Sequence, residues 1–115
     1  MDLNILLKKI INDAISIGFQ VSPNLRTEVY IDDKRLDRVG ACYRYIFPEK
    51  YEIHLSKDVL RAKEHDLKSI IAHEVLHANI FTMEHNYIWE AYKNLMNDKF
   101  GYNIKVRYSW HEILR

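Results

Sequence analysis

The sequence predicts a small α+β domain, and three observations carry that prediction. An amphipathic helical stretch opens the chain, three short strand-like segments follow between residues 27 and 55, and two more helical stretches close it. A length of 115 residues suits one compact domain spanning 1–115 and is too short for a second of ordinary size. With 48% hydrophobic residues, three glycines and two prolines, the composition excludes a disordered, fibrous or low-complexity chain.

Leu3, Leu6, Leu7, Ile10, Ile11, Ala14 and Ile17 recur at three- and four-residue intervals with Lys8, Lys9, Asn12 and Asp13 between them. That period is helical, and Gly18 supplies the stop. Ser22-Pro23-Asn24 is turn chemistry, after which Thr27, Val29, Tyr30 and Ile31 have the β-branched and aromatic content of a strand. Asp32-Asp33-Lys34 reads as the next turn. Val39 to Ile46 and Tyr51 to Leu55 are two further strands, separated by the reversal at Phe47-Pro48-Glu49-Lys50. Three strands in quick succession imply an antiparallel meander.

Ser56 is placed to cap a short helical segment through Leu60, and Asp66 to cap a helix from about Leu67 to Phe81. Leu67, Ile70, Ile71, Val75, Leu76 and Ala78 would bury that helix on the sheet. A last helix from about Tyr87 to Lys99 places Ile88, Ala91, Tyr92, Leu95 and Met96 on one side and ends before Gly101. Tyr102 to Trp110 reads as a final strand or an extended tail.

Seventeen basic against sixteen acidic side chains leave a net charge of +1, so no global field calls for nucleic acid or an anionic membrane. The lone Cys42 excludes an internal disulfide framework and a multi-cysteine zinc ribbon within these residues, and a reducing compartment is the default. Lys8, Lys9 and Asp13 interrupt the apolar opening, and no small-residue cleavage site follows, so a cytoplasmic protein is expected.

The chemistry lies in His73-Glu74-Val75-Leu76-His77. Two histidines four apart on a helix are rotated by about 40° and separated by about 6 Å of rise, so one small cation can touch both imidazoles. Zinc suits such a pair, and the glutamate beside the first histidine can reach a water at the metal. The competing reading is an amphipathic helix whose histidines are satisfied core or boundary residues.

A catalytic zinc takes three protein ligands and keeps one position open. Ile80 and Met83 stand where a metzincin has glycine and histidine, so that pattern fails. Glu90 could serve in a thermolysin-like arrangement, with Glu84 and Glu112 as weaker alternatives. His85 is favoured: it follows His77 by eight residues, beyond the motif helix and just before the next one. Thr82-Met83-Glu84 lacks glycine and proline, so the sequence does not mark the turn that would bring it back.

From about Thr27 to Gly101 the chain resembles the SprT-like (Spartan-type) zinc metallopeptidases. The resemblance lies in a strand, the Arg35 to Arg38 turn, Gly40-Ala41-Cys42, the strand end Glu52-Ile53-His54-Leu55-Ser56, His73-Glu74-Val75-Leu76-His77-Ala78, and His85 with Trp89 four residues on. It implies a small zincin-like domain in which His73, His77 and His85 hold Zn2+ and Glu74 is the general base for attack of water on a peptide carbonyl. The residue after the third histidine is commonly glycine in that family and is Asn86 here; many relatives append a zinc ribbon, which this chain lacks.

Eukaryotic SprT-like relatives act on proteins crosslinked to DNA, so DNA is an implied partner beside a protein or peptide substrate. Lys34, Arg35, Arg38 and Arg44, with Lys99, Lys105, Arg107 and Arg115 in the tail, are basic residues that could touch phosphates, though Asp32, Asp33 and Asp37 dilute the first group. The YgjP-type metallohydrolases are a near alternative, and a catalytically silent zinc-binding adaptor a distant one. Tyr43, Tyr45 and Tyr87 are available as oxyanion donors without any signal choosing among them. Cys42 reads as a small buried hydrophobe, His54 as a strand histidine, and His65 and His111 as surface residues.

Overall fold

The computed structural model describes residues 2–33 and 38–114. Helix α1 (Leu3–Ser16) begins at Asp2, whose carboxylate accepts from the N–H groups of Asn4 and Ile5. It buries Leu7, Ile10 and Ala14 and ends before Gly18, whose φ of +91° is the left-handed conformation that favours glycine. Strands β1 (Leu25–Asp32), β2 (Gly40–Ile46) and β3 (Glu49–Ser56) follow, then a 3-10 turn (Lys57–Arg61), α2 (Glu64–Val75), a second 3-10 turn (Ile80–Thr82), α3 (Tyr87–Phe100) and the short α4 (Trp110–Ile113). The α+β class is therefore as expected. Among the described residues, no helix is long and apolar enough to cross a membrane.

The sheet is mixed, which corrects the expected antiparallel meander: its order is β1-β3-β2, with β1 parallel to β3 and β2 antiparallel to it. The reason is the length of each connection. Phe47 and Pro48 alone join β2 to β3, and so tight a turn makes antiparallel neighbours. Residues 33–39 join β1 to β2 and are long enough to cross the end of β3, about 10 Å for two strand spacings. The β3 strand is thus central, with Gly40 paired to Leu55 and Cys42 to Ile53 on the face turned to α2.

Tyr51, Ile53 and Leu55 on that face are essentially inaccessible, as are Ile70, Ile71, Val75 and Leu76 of the α2 region and Leu7 and Ile10 of α1. Full burial of each such side chain stabilises the fold by about 1.5–3 kcal/mol. The opposite face carries His54, whose ring nitrogens lie 3.1 Å from Asp32 and 3.0 Å from Glu52, with Tyr30 stacked on the ring and Tyr43 edge-on. His54 is thus a hydrogen-bonded strand residue facing away from α2.

Two helix boundaries also differ from expectation. The motif helix starts at Glu64, with Lys63 rather than Asp66 at its cap and no side-chain hydrogen bond there, and its regular turns stop at Val75 instead of Phe81. The chain then tightens: His77 N–H donates to Glu74 and Ala78 N–H to Val75, both three residues back. Asn79 holds the departing loop by donating to the Gln20 carbonyl and accepting from Phe81 N–H. Ser56 makes no side-chain cap; its hydroxyl donates to the Arg38 carbonyl instead. At the other end, α3 runs one residue beyond Lys99 and stops at Gly101, φ +74°, as its position suggested.

Candidate metal centre

The α2 helix carries His73 and Glu74, and the tight turn after it carries His77. The loop that returns His85 to them contains no glycine or proline and is folded by asparagines. Asn86 donates to the Phe81 carbonyl (2.7 Å) and accepts from Trp89 N–H (3.0 Å), capping α3. Its φ of −87° needs no glycine. The Nε2 atoms of His73, His77 and His85 lie 3.0, 3.0 and 3.3 Å apart. Among the described residues, these three form the cluster of side chains suited to a metal ion. Glu84 is exposed, while Glu90 pairs with Lys93 and Glu112 with Lys105.

Hydrogen positions decide what the triad can bind. His73 Nδ1 donates to the Lys105 carbonyl (2.6 Å) and His77 Nδ1 to the Thr82 carbonyl (2.8 Å). A carbonyl only accepts, so in the neutral rings Nδ1 carries the hydrogen and Nε2 the lone pair. Lone pairs therefore face one another without a proton between them, at His73 and His77 in a buried setting. A cation satisfies that arrangement: a tetrahedral ion with bonds of about 2.0–2.1 Å spaces its ligands by about 3.3 Å. Burial holds His73 down to about 3, with the His77 charge adding to it, and holds His77 down to about 4. Both rings stay neutral at ordinary pH and are free to ligate.

Trp89 is the floor of the triad. Its ring lies nearly parallel to His77 (5.5 Å, 20°) and packs on His73 (4.8 Å) and His85 (4.6 Å), while its indole N–H donates to the His73 carbonyl. Glu74 stands beside the triad, with Oε2 3.9 Å from His73 Nε2. Gly40 lies against it: a Cβ there would lie 3.5 Å from that oxygen, an ordinary contact, and more tightly, 3.2 Å, from the His54 carbonyl and the Leu55 side chain. Burial lifts Glu74 to about 8, with Arg38 pulling the other way. The Cys42 thiol is pushed far up by burial and by the Glu74 charge, which fits a packing role.

The sequence left the tail open between strand and extended segment; it is an extended strap that supports the centre. Asn97 grips Ile104 by both ends of its amide, accepting from its N–H (2.8 Å) and donating to its carbonyl (3.1 Å). Ser69 accepts from Asn103 N–H, and the Tyr108 hydroxyl accepts from Lys105 N–H and donates to the Asn103 carbonyl. The strap thereby fixes the Lys105 carbonyl that orients His73. Asn97→Ala is expected to cost about 1–3 kcal/mol in stability. It should also weaken divalent-metal binding, by no more than the about 10–100-fold that loss of a ligand's direct outer partner brings, because Asn97 acts on His73 only through the strap. Competition with a chelating dye would check this; unchanged affinity would leave the strap a purely structural element.

A cleft of about 430 Å³ opens over the triad, lined by Arg38, Val39 and Gly40 on one segment and Val106, Arg107 and Tyr108 on another. Tyr43 packs on His54 across the sheet, Tyr45 is well exposed and Tyr87 almost fully so. None of these three suggested donors lines the cleft. Tyr108 does, and a sequence reading had no periodic or spacing signal for it. Of the basic residues noted in sequence, Arg44 pairs with Glu49 and Lys105 with Glu112, whereas Lys34, Arg35 and Arg115 lie outside the described residues, as does most of the Arg35 to Arg38 turn. His65 and His111 are exposed.

A sequence profile of the SprT-like family matches residues 7–108. The crystal structure of the metallopeptidase zymogen of Pyrococcus abyssi abylysin is similar over 86% of this chain and 99% of that one, at 18% identity and a TM-score of 0.49. No curated protein matches.

Proposed function

The chain belongs to the SprT-like family, and from that membership and the three-histidine centre we propose that it is a zinc-dependent metallopeptidase hydrolysing peptide bonds. The observation that carries this reading is the convergence of three histidine Nε2 atoms with a buried carboxylate beside them. His73, His77 and His85 would hold the zinc. When bound, it would lower the pKa of a coordinated water and polarise a substrate carbonyl. Glu74 would take the proton of the attacking water at Oε2 and return it to the leaving amine. Its burial favours the protonated form, while Arg38 and a divalent cation both favour the carboxylate that a base requires. The β2 strand is an edge strand whose first residue lines the cleft, so an extended peptide could add to it and lie across the centre.

A structural zinc site would close its shell with a fourth protein ligand. Among the described residues, the cluster holds three, which favours the hydrolase over a silent adaptor. Family membership favours the SprT-like reading over the YgjP-type alternative. The test is zinc content together with cleavage of an unfolded protein substrate, free and bound to DNA. About one zinc per chain and cleavage abolished by a chelator and restored by zinc are expected. A zinc-loaded protein that cleaves neither substrate would sink the reading. A DNA-associated target and a cytoplasmic location remain part of this proposal.

A further inference from the structure

We propose that Arg38 and Arg107 make the cleft selective for substrates with a carboxylate side chain beside the scissile bond. The inference rests on the cleft being the substrate site. The two arginines come from the two segments that wall the cleft, and both are exposed. Neither guanidinium meets a carboxylate among the described residues, although the chain has sixteen acidic side chains and engages Lys9, Arg44, Lys50, Lys93 and Lys105 in ion pairs.

Among the described residues, Glu74 is the one acidic side chain in the lining, and it lies buried beside His73. The charge of Arg38 reaches His73, Glu74, His77 and His85, and that of Arg107 reaches His85. Two cations without a carboxylate partner among the described residues, so near a cation-binding socket, repel its metal. An anionic ligand between them relieves that repulsion. A guanidinium matches a carboxylate through two parallel N–H···O bonds, and Val39 and Val106 add apolar surface to the same cleft lining. A nucleic acid would need a basic and aromatic track continuing beyond the cleft; here the neighbouring Lys105 is paired with Glu112 and the net charge is only +1.

Blocked dipeptide hydroxamates that differ only in carrying Glu or Gln provide the probe, because the hydroxamate anchors at the metal and binding is read without cleavage. Calorimetry on the zinc-loaded protein should show the Glu compound binding about tenfold tighter. Arg38→Gln and Arg107→Gln should each shrink that ratio, the double variant should bring it to about one, and the lysine variants should keep most of it. Equal affinity for the two compounds in the wild type overturns the proposal. So does a ratio of one combined with arginine-dependent displacement of the probe by a short single-stranded oligonucleotide, which would assign the arginines to phosphate. Acid-selective binding without any peptide cleavage would instead leave this inference standing and sink the peptidase reading.

Discussion

Glu74→Gln is expected to bind zinc like the wild type and to lose peptide cleavage by about 10²–10⁴-fold, the usual worth of a positioned general base. The amide keeps the volume and the place against Gly40 but cannot accept the water's proton. A second measurement separates this from a packing effect. Without metal, burial holds Glu74 at about 8, mostly protonated at pH 7, whereas His73 and His77, held at about 3 and 4, are already neutral and bind a metal without releasing a proton. Zinc entry favours the carboxylate, so binding at pH 7 should release nearly one proton more in the wild type than in the variant. Calorimetry in buffers of different ionisation enthalpy measures the difference. Equal cleavage would remove Glu74 from the mechanism, and equal proton release would show that the metal does not act on its carboxyl.

The same shifts set how the metal-free protein responds to pH. Glu74 has a folded pKa raised above its unfolded value, so its contribution is present below about 4.5 and is lost as pH rises through about 8. His73 and His77 have folded values below about 6.5, so the folded state loses stability as pH falls from there towards 4 and 3. Glu74→Gln should therefore be the more stable metal-free protein at pH 8–9, as a denaturant titration would show.

Trp89→Ala is expected to remove about 3–5 kcal/mol of stability, the cost of deleting a fully buried indole. Its consequence should reach beyond the core, because the same ring packs on all three histidines and donates to the His73 carbonyl. Zinc affinity should fall together with stability. Trp89→Phe keeps an aromatic floor and gives up the indole donor, so it should retain the larger part of both. Denaturant unfolding with and without zinc measures the two effects. Full zinc affinity in a folded Trp89→Ala protein would show that the histidines are oriented by their backbone acceptors alone.

How much of this was legible beforehand depends on the range of each interaction. The pentad was readable because helix geometry brings residues four apart to one face, and α1 and α3 were readable from their apolar period. Gly101 marked its helix end because a left-handed residue there favours glycine. The return of His85 lacked the usual turn residues, since Asn79 and Asn86 do that work through side-chain hydrogen bonds. Their signal was present in the sequence as two asparagines flanking the loop, each able to stand in for backbone donors and acceptors.

The sequence by itself determined the α+β class, the pairing of His73 with His77 one turn further on, and the presence of a third histidine near enough to join them. All of these follow from local periodicity and short chain connections. Tertiary structure alone decided that β1 runs parallel to β3, that the tail straps across to orient His73, and that Arg38 and Arg107 wall one cleft. The physical reason is that strand order and strap contacts depend on groups far apart in the chain, such as Lys105 and His73. No local period records their meeting; packing selects it when the whole domain folds.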